Sequence, residues 1–524
     1  MKLPTDLIKM YKEIHGWVGI ISGLALFIAF FAGALTMFED HIQRWASPPS
    51  ALAAPPPLEK TPELVAKVLA AHPEAKEGYT VHLVTDSARP ARVSWDVRPG
   101  EDDHAPPVTY YASLAPEGSL QVETKGPSPV AQFIDVLHQQ VGLPFEHEVA
   151  MPIMGAIAML YFVAIVSGLV VLLPSLVSDL FAMRLGKNVK RMWLDAHNLL
   201  GIFSLPFHII MALTALVFAF HDQFYGAQGL AFGGAERERP AAVAQGEAPP
   251  MLTPVQMVER LRQQAPDFTP MVLDISERRD GSRNVRVGGL SERHAVRGPT
   301  MGYGAIDPVT GELTGKDYMP GHQDGWSAAV TSFFTLHFGA FGGEPIRWSY
   351  FLLGLAGAFI FYTGNLLWIE SRRKRERKAG AVEQTRATRV LGALTVGVPT
   401  GTIAGIAITL AAAKPLGAGA TEGLHSMIFY TVFLAFVAWA MVRGAARSGY
   451  ELAFAAAIAM VAVPLSSLAF MSRHPVSIIG VDAIALLLCG GLFMAGRAAQ
   501  KRAAATPRDS VWFSSRAVAE GYPA

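Results

Sequence analysis

The sequence predicts an all-α polytopic membrane protein of about eight transmembrane helices, with two α+β modules outside the membrane and an internal parallel repeat in its first four helices. Three observations predict it. Eight windows of membrane-spanning length are apolar with at most one charged residue each, basic residues follow every second window, and a stretch beginning at His15 returns at His197. The bulk composition agrees. Of 524 residues, 51 % are apolar and 17 % charged, where a soluble chain carries roughly a quarter charged. The 44 Lys+Arg and 43 Asp+Glu nearly cancel, which argues against a nucleic-acid partner. A single cysteine excludes a disulfide framework, an iron–sulfur site and the usual cysteine zinc sites. Any metal or redox chemistry therefore falls to the 15 histidines.

The windows lie near residues 15–38, 150–174, 197–220, 347–369, 389–413, 425–442, 450–471 and 476–496. Lys2, Lys9 and Lys12 precede the first, and Arg184, Lys187, Lys190 and Arg191 follow the second. The run from Arg372 to Lys378 follows the fourth, Arg443 and Arg447 the sixth, and Arg497, Lys501 and Arg502 the eighth. The positive-inside rule then places both termini in the cytoplasm. In order, the chain reads as an N-terminus with the first span (1–38), an outer module (39–149), the second span (150–174) and a cytoplasmic loop (175–196). The third span (197–220), a second outer module (221–346), the fourth span (347–369) and a basic linker (370–388) follow. A four-helix extension (389–496) and a cytoplasmic tail (497–524) complete it. The Pro/Gly-rich tracts Ser47–Pro57 and Arg237–Pro250 read as linkers. Ser47–Ala54 also resembles a signal-peptidase site, but the apolar stretch before it is longer than a signal peptide's.

Laid together without a gap, His15, Gly19, Ile20, Ser22, Phe38 and Asp40 match His197, Gly201, Ile202, Ser204, Phe220 and Asp222. The outer segments repeat too. A Thr-Pro-opened amphipathic helix starts at Thr61 and again at Thr253, and each is followed by alternating segments with a glycine turn, at Gly118 and Gly311. Each module therefore reads as a helix against a small antiparallel sheet. Leu137-His138 precedes the second span and Leu336-His337 the fourth, and these spans carry Ser167-Gly168 and Thr363-Gly364 late in their runs. Two copies of one topology are related by an axis along the membrane normal.

That axis brings His15 toward His197 and His138 toward His337. Alone, any one of them is equally an interfacial residue bonded to backbone. As symmetric pairs they suit the axial positions of two b-type haems, since imidazole ligates iron well and no thiolate competes. His208, eleven residues after His197, lies about 16 Å deeper along a straight helix and is a further candidate ligand or neighbour of one. Its match in the first copy is Leu26, so the repeat gives it no partner. Gly16, Gly19, Gly142, Gly201, Gly339, Gly342 and Gly343 would admit a porphyrin or simply tight helix packing. His72, His82, His104, His147, His294 and His322 read as surface residues of the modules, and His425 and His474 flank the last spans without repeat partners. No nucleotide-binding loop or Ser/His/Asp arrangement is visible.

The opening His15–Gly19, Leu137-His138, Asp195-Ala196-His197 with Gly201, and Leu336-His337-Phe338-Gly339 ahead of Thr363-Gly364 together resemble the PepSY-associated transmembrane family of bacterial inner-membrane proteins. The resemblance covers about residues 8–376. It implies PepSY-type modules at Thr61–Leu120 and Thr253–Leu313, and haem iron held by His15, His197, His138 and His337. It also implies a function like that of the siderophore-iron (ferrioxamine-type) reductases: electrons cross the inner membrane and reduce ferric iron, in a siderophore or another ferric chelate, in the periplasm. The donor would be a cytoplasmic reductant or a quinol. Trp326 and Arg347 are candidate contacts for the chelate. The competing readings are a non-catalytic PepSY-type membrane-anchored regulator and a transporter built on the last four spans. The family's pattern stops before those spans, and the resemblance assigns them no role.

Overall fold

The structure, a computed structural model, describes residues 4–97, 108–124, 128–179, 189–232, 250–277, 281–380, 383–470, 479–508 and 510–515. Lys2, Arg184, Lys187, His104, His474 and most of the tract 237–250 lie outside them. The chain divides into two compact units: a helical unit of Met1–Ala46, Pro129–His221 and Trp348–Ala524, and a second unit of Ser47–Ser128 and Asp222–Arg347.

The helical unit begins with α1 (Thr5–Thr36) and the short α2 (Glu39–Ala46). Among the described residues, seven helices are long and apolar enough to cross a membrane, and an eighth crossing is reached if one bent pair counts as a single span. The protein is therefore a multi-pass membrane protein. Close approach between its helices is bought by small residues. A Cβ on Gly354 would meet the Ala34 Cβ at 3.0 Å, and one on Gly23 would meet Asn365 Oδ1 at 3.2 Å.

In the second unit, α3 (Thr61–Ala71) is followed by β1 (Gly78–His82), β2 (Val93–Val97), β3 (Val108–Leu114) and β4 (Leu120–Glu123). The chain then returns to the helical unit through α4 (Val130–Gln139), α5 (His147–Leu172), the short α6 (Leu176–Asp179), α7 (Val189–Phe203) and α8 (Leu205–Ala219). The stretch read as one third span is bent here, with α7 and α8 meeting at 70°. Pro206 is the cause: it has no N–H to give and its ring crowds the carbonyl one turn back, so the helix restarts at Leu205.

After α9 (His221–Phe232), the second unit resumes with α10 (Pro254–Gln264), β5 (Thr269–Glu277), β6 (Arg283–Leu290), β7 (Gly302–Ile306) and β8 (Leu313–Gly315). Thr253 opens α10 with a capping box closed by Gln256, as Thr-Pro at this point predicts. Gly118 and Gly311 take φ of +87° and +74° in the two turns, where a side chain would be strained. The strands do not form two small sheets. They join as one eight-stranded antiparallel sheet, ordered β4-β3-β2-β1-β5-β6-β7-β8. The first strands of the two segments pair at its centre, Val81 opposite Leu273, so neither leaves an open edge. Leu64, Val68, Met257 and Leu261 from the two helices share one buried core with Val81, Trp95, Leu273 and Val285.

Helix α11 (Gly325–Phe338) ends the second unit's regular structure and α12 (Gly343–Lys378) carries the chain back. The last helices are α13 (Arg386–Leu416), α14 (Glu422–Arg443), α15 (Ala445–Ala469) and α16 (Ile479–Ala505). Gly397, Gly401 and Gly405, one turn apart on α13, bring it against α14 so closely that a Cβ on Gly401 would lie 3.1 Å from the Phe433 carbonyl.

Candidate haem site in the helical unit

His15 on α1 and His197 on α7 face each other with ring centroids 6.2 Å apart and planes at 76°. Both are held by the same kind of cradle. The His15 Nδ1–H donates to the Ala164 carbonyl at 2.9 Å and lies 3.4 Å from the Ser167 hydroxyl, on α5. His197 Nδ1–H donates to the Thr363 hydroxyl oxygen at 3.1 Å, and the Thr363 hydroxyl in turn donates to the Ile360 carbonyl, on α12. All these partners accept, so Nδ1 carries the proton and the lone pair is left on Nε2. One residue on from each hydroxyl stands a glycine. A Cβ on Gly168 would meet His15 Cε1 at 2.9 Å, and one on Gly364 would meet His197 Cε1 at 3.5 Å. Anchoring one ring nitrogen so that the other can ligate is the usual support of a metal-bound histidine.

The spacing also fits. Two imidazoles that each gave a nitrogen to one metal at about 2 Å would have ring centroids roughly 6 Å apart. Gly201 has open space where a Cβ would stand, and Asp195, two residues before His197, is buried and paired to Arg191 at 3.2 Å. Among the described residues, no three His, Cys, Asp or Glu side chains gather as a metal-binding group. His15 and His197 would be the two residues to hold a haem iron here.

His138, on α4, donates from Nδ1 to the Ala29 carbonyl at 2.8 Å, and its ring lies over Gly33, where a Cβ would be 2.6 Å away. Carbonyl and glycine are again four residues apart. Nearby, burial and the charge of Asp135 push Glu39 up to about 7, and burial raises Asp135 as well. His337 stands in the last turn of α11, which Gly339 closes in the left-handed conformation, and belongs to the second unit. His208 is 5 % exposed on α8 and bonded to Tyr161. Trp326 is 71 % exposed, and Arg347 is paired with Glu344.

Residues 12–371 match the PepSY-associated TM region. The chain belongs to the PepSY-associated TM region family. Among curated proteins, none matches the chain. The family's region in this PepSY-associated protein runs from α1 to α12 and so contains every histidine of the repeat. Helices α13–α16 lie beyond it.

Two features of this PepSY-associated protein escape a reading of its sequence. His82, read as a surface residue, is buried on β1, its Nε2 2.8 Å from the Ser94 hydroxyl; burial and then Arg89 lower its pKa to about 4. The extension also holds a charged cluster in which Lys414 is buried and Ser467 and Asp482 are half-buried. Lys414 donates to Ser467 at 2.8 Å, Ser467 to Asp482 at 2.9 Å, and the Trp45 indole N–H reaches Ser467 at 3.1 Å while its ring lies 4.0 Å from the ammonium. Its signals in the sequence are Lys414 before Pro415 at the end of one apolar run and Asp482 inside another.

Proposed function

We propose that the protein is a haem b oxidoreductase of the bacterial inner membrane that passes electrons across the bilayer and reduces ferric iron in the periplasm, the iron arriving as a ferric siderophore. The observation that carries this reading is the facing pair His15 and His197, each anchored through Nδ1 and each backed by a glycine. A haem held between them would supply a one-electron centre inside the bilayer. The residues' own part is to hold and to exclude. Ala164 and Ser167 fix one imidazole and Thr363 the other, which sets tautomer and ring orientation before any iron arrives. The surrounding apolar spans keep water from the site.

The second pair, His138 and His337, rests on the sequence repeat, and the anchored ring of His138 supports its half. One-electron reduction suits a siderophore cargo because a chelate that grips ferric iron holds ferrous iron weakly. The protein then needs a conduit and a docking surface rather than acid–base machinery. The donor is a cytoplasmic reductant or a quinol.

The test is the absorption spectrum of detergent-purified protein before and after dithionite, with haem counted per chain. Two b-type haems per chain are expected, and His15→Ala or His197→Ala removes one. A colourless protein sinks the proposal and favours a non-catalytic PepSY regulator.

A further inference from the structure

The end of the helical unit that holds His15 and His197 carries a concentration of positive charge. Lys12 stands one turn before His15 on α1 and Lys190 two turns before His197 on α7, roughly 5 and 10 Å along their helices. On α12, which anchors His197 through Thr363, Ser371 accepts a hydrogen bond from the Lys190 ammonium at 3.0 Å. Lys12, Arg373 and Lys374 are the like charges that act on Lys190. Three helices of the site thus bring basic residues to one place.

The positive-inside rule asks only that such residues be present. At the exit of α14 it is met by charges already neutralised, since Glu451 takes both Arg443 at 2.8 Å and Arg447 at 2.7 Å. Beside the histidines the balance differs. Arg373 has Glu370 at 3.2 Å and Arg372 has Glu376 at 3.7 Å, but Lys12, Lys190 and Lys374 form no ion pair among the described residues. Lys12 and Lys374 are exposed. Like charges gathered without a carboxylate repel one another, and an anionic partner relieves that repulsion.

Aromatic rings join this surface to the site. Trp17, 56 % exposed, meets Trp368 with ring centroids 6.2 Å apart, and the Arg372 guanidinium lies 5.4 Å from the Trp368 ring. A Cβ on Gly16, the neighbour of His15, would stand 3.7 Å from Trp368 Cδ1. One indole thus lies against both the backbone beside His15 and the charged residues.

We propose that this face is the docking surface for an acidic protein that carries one electron at a time, and that such a carrier is the electron donor. The proposal rests on the haem reading and chooses between the donors which that reading leaves open. A haem iron held by a histidine on each side has no free position for a hydride donor, so electrons enter singly. The reduced carrier loses one electron and the haem iron gains it, ferric to ferrous, with no bond or proton exchanged. A chelate that grips ferric iron tightly also makes that iron hard to reduce, which favours a low-potential carrier over a quinol.

The test places the full chain in nanodiscs of neutral lipid and measures its binding to a purified acidic iron–sulfur ferredoxin, then the rate at which the reduced ferredoxin reduces the haem. The wild type is expected to bind it, more weakly as salt rises, and to be reduced by it. Lys12→Glu with Lys374→Glu is expected to weaken binding and slow the reduction by about tenfold, with haem content retained. Should those reversals disturb insertion, Lys12→Gln with Lys374→Gln shows the same change more weakly. Equal binding and equal rates in the variants, or haem that a quinol reduces and ferredoxin does not, overturn the proposal and leave the haem reading intact. So does a wild type that retains phosphatidylglycerol through these lysines and binds no ferredoxin, which assigns the face to lipid headgroups. A wild-type chain without haem overturns the haem reading and this proposal with it.

Discussion

Gly168 is in contact with the ring that it backs, and that closeness sets its prediction. Gly168→Val puts carbon into the His15 ring and is expected to lower haem content without unfolding the chain, whereas Gly201→Ala, with open space at its Cβ, leaves haem content unchanged. Haem per chain in the two purified variants checks both. Two titrating residues act on stability with opposite signs. His82 has a folded pKa of about 4 against an ordinary 6.5, so the folded chain binds fewer protons than the unfolded chain between those values. Stability is full above pH 6.5 and is lost as pH falls toward 4, by about 3 kcal/mol for this group. Glu39 sits at about 7 against 4.5, so its contribution is full below pH 4.5 and is lost as pH rises toward 7. Glu39→Gln is therefore expected to stabilise the chain at pH 8 by about 1–2 kcal/mol after allowing for partial exposure, read as a raised Tm, and to change little at pH 4.5. Melting curves at the two pH values decide it.

At the scale of elements, the spans, the Thr-Pro helix openings and the glycine turns were legible because each follows from local composition. The meeting of His15 and His197 was legible for another reason: matching segments of sequence point to partners that no single segment names. What was not legible depended on meetings of distant segments. The pairing of β1 with β5 turns two expected sheets into one, and no residue of either strand announces it. The 70° bend at Pro206 takes His208 off the straight line on which its depth was reckoned. His82 alternates like a surface residue, and only Ser94 on the neighbouring strand shows that it is enclosed. The α13 glycines give this scale its prediction. Gly401→Val drives carbon into the Phe433 backbone and is expected to cost on the order of 2 kcal/mol, measured as a lowered Tm, with the haem spectrum retained.

Across the whole molecule, the family's region ends with α12, yet α13–α16 belong to the same compact helical unit. The cluster of Lys414, Ser467 and Asp482 ties those helices to Trp45 on α2. Removing Lys414 strands the half-buried Asp482, so Lys414→Met is expected to destabilise by about 2 kcal/mol, and adding Asp482→Asn to recover part of it. Melting of the single and double variants measures the recovery. The account as a whole stands on haem between His15 and His197. The most direct measurement is the dithionite-reduced minus oxidised spectrum of the purified chain beside that of His197→Ala. A b-type spectrum in the wild type that loses one haem equivalent in the variant is expected, and a wild-type chain with no Soret band, or a variant with undiminished haem, would overturn the proposed function.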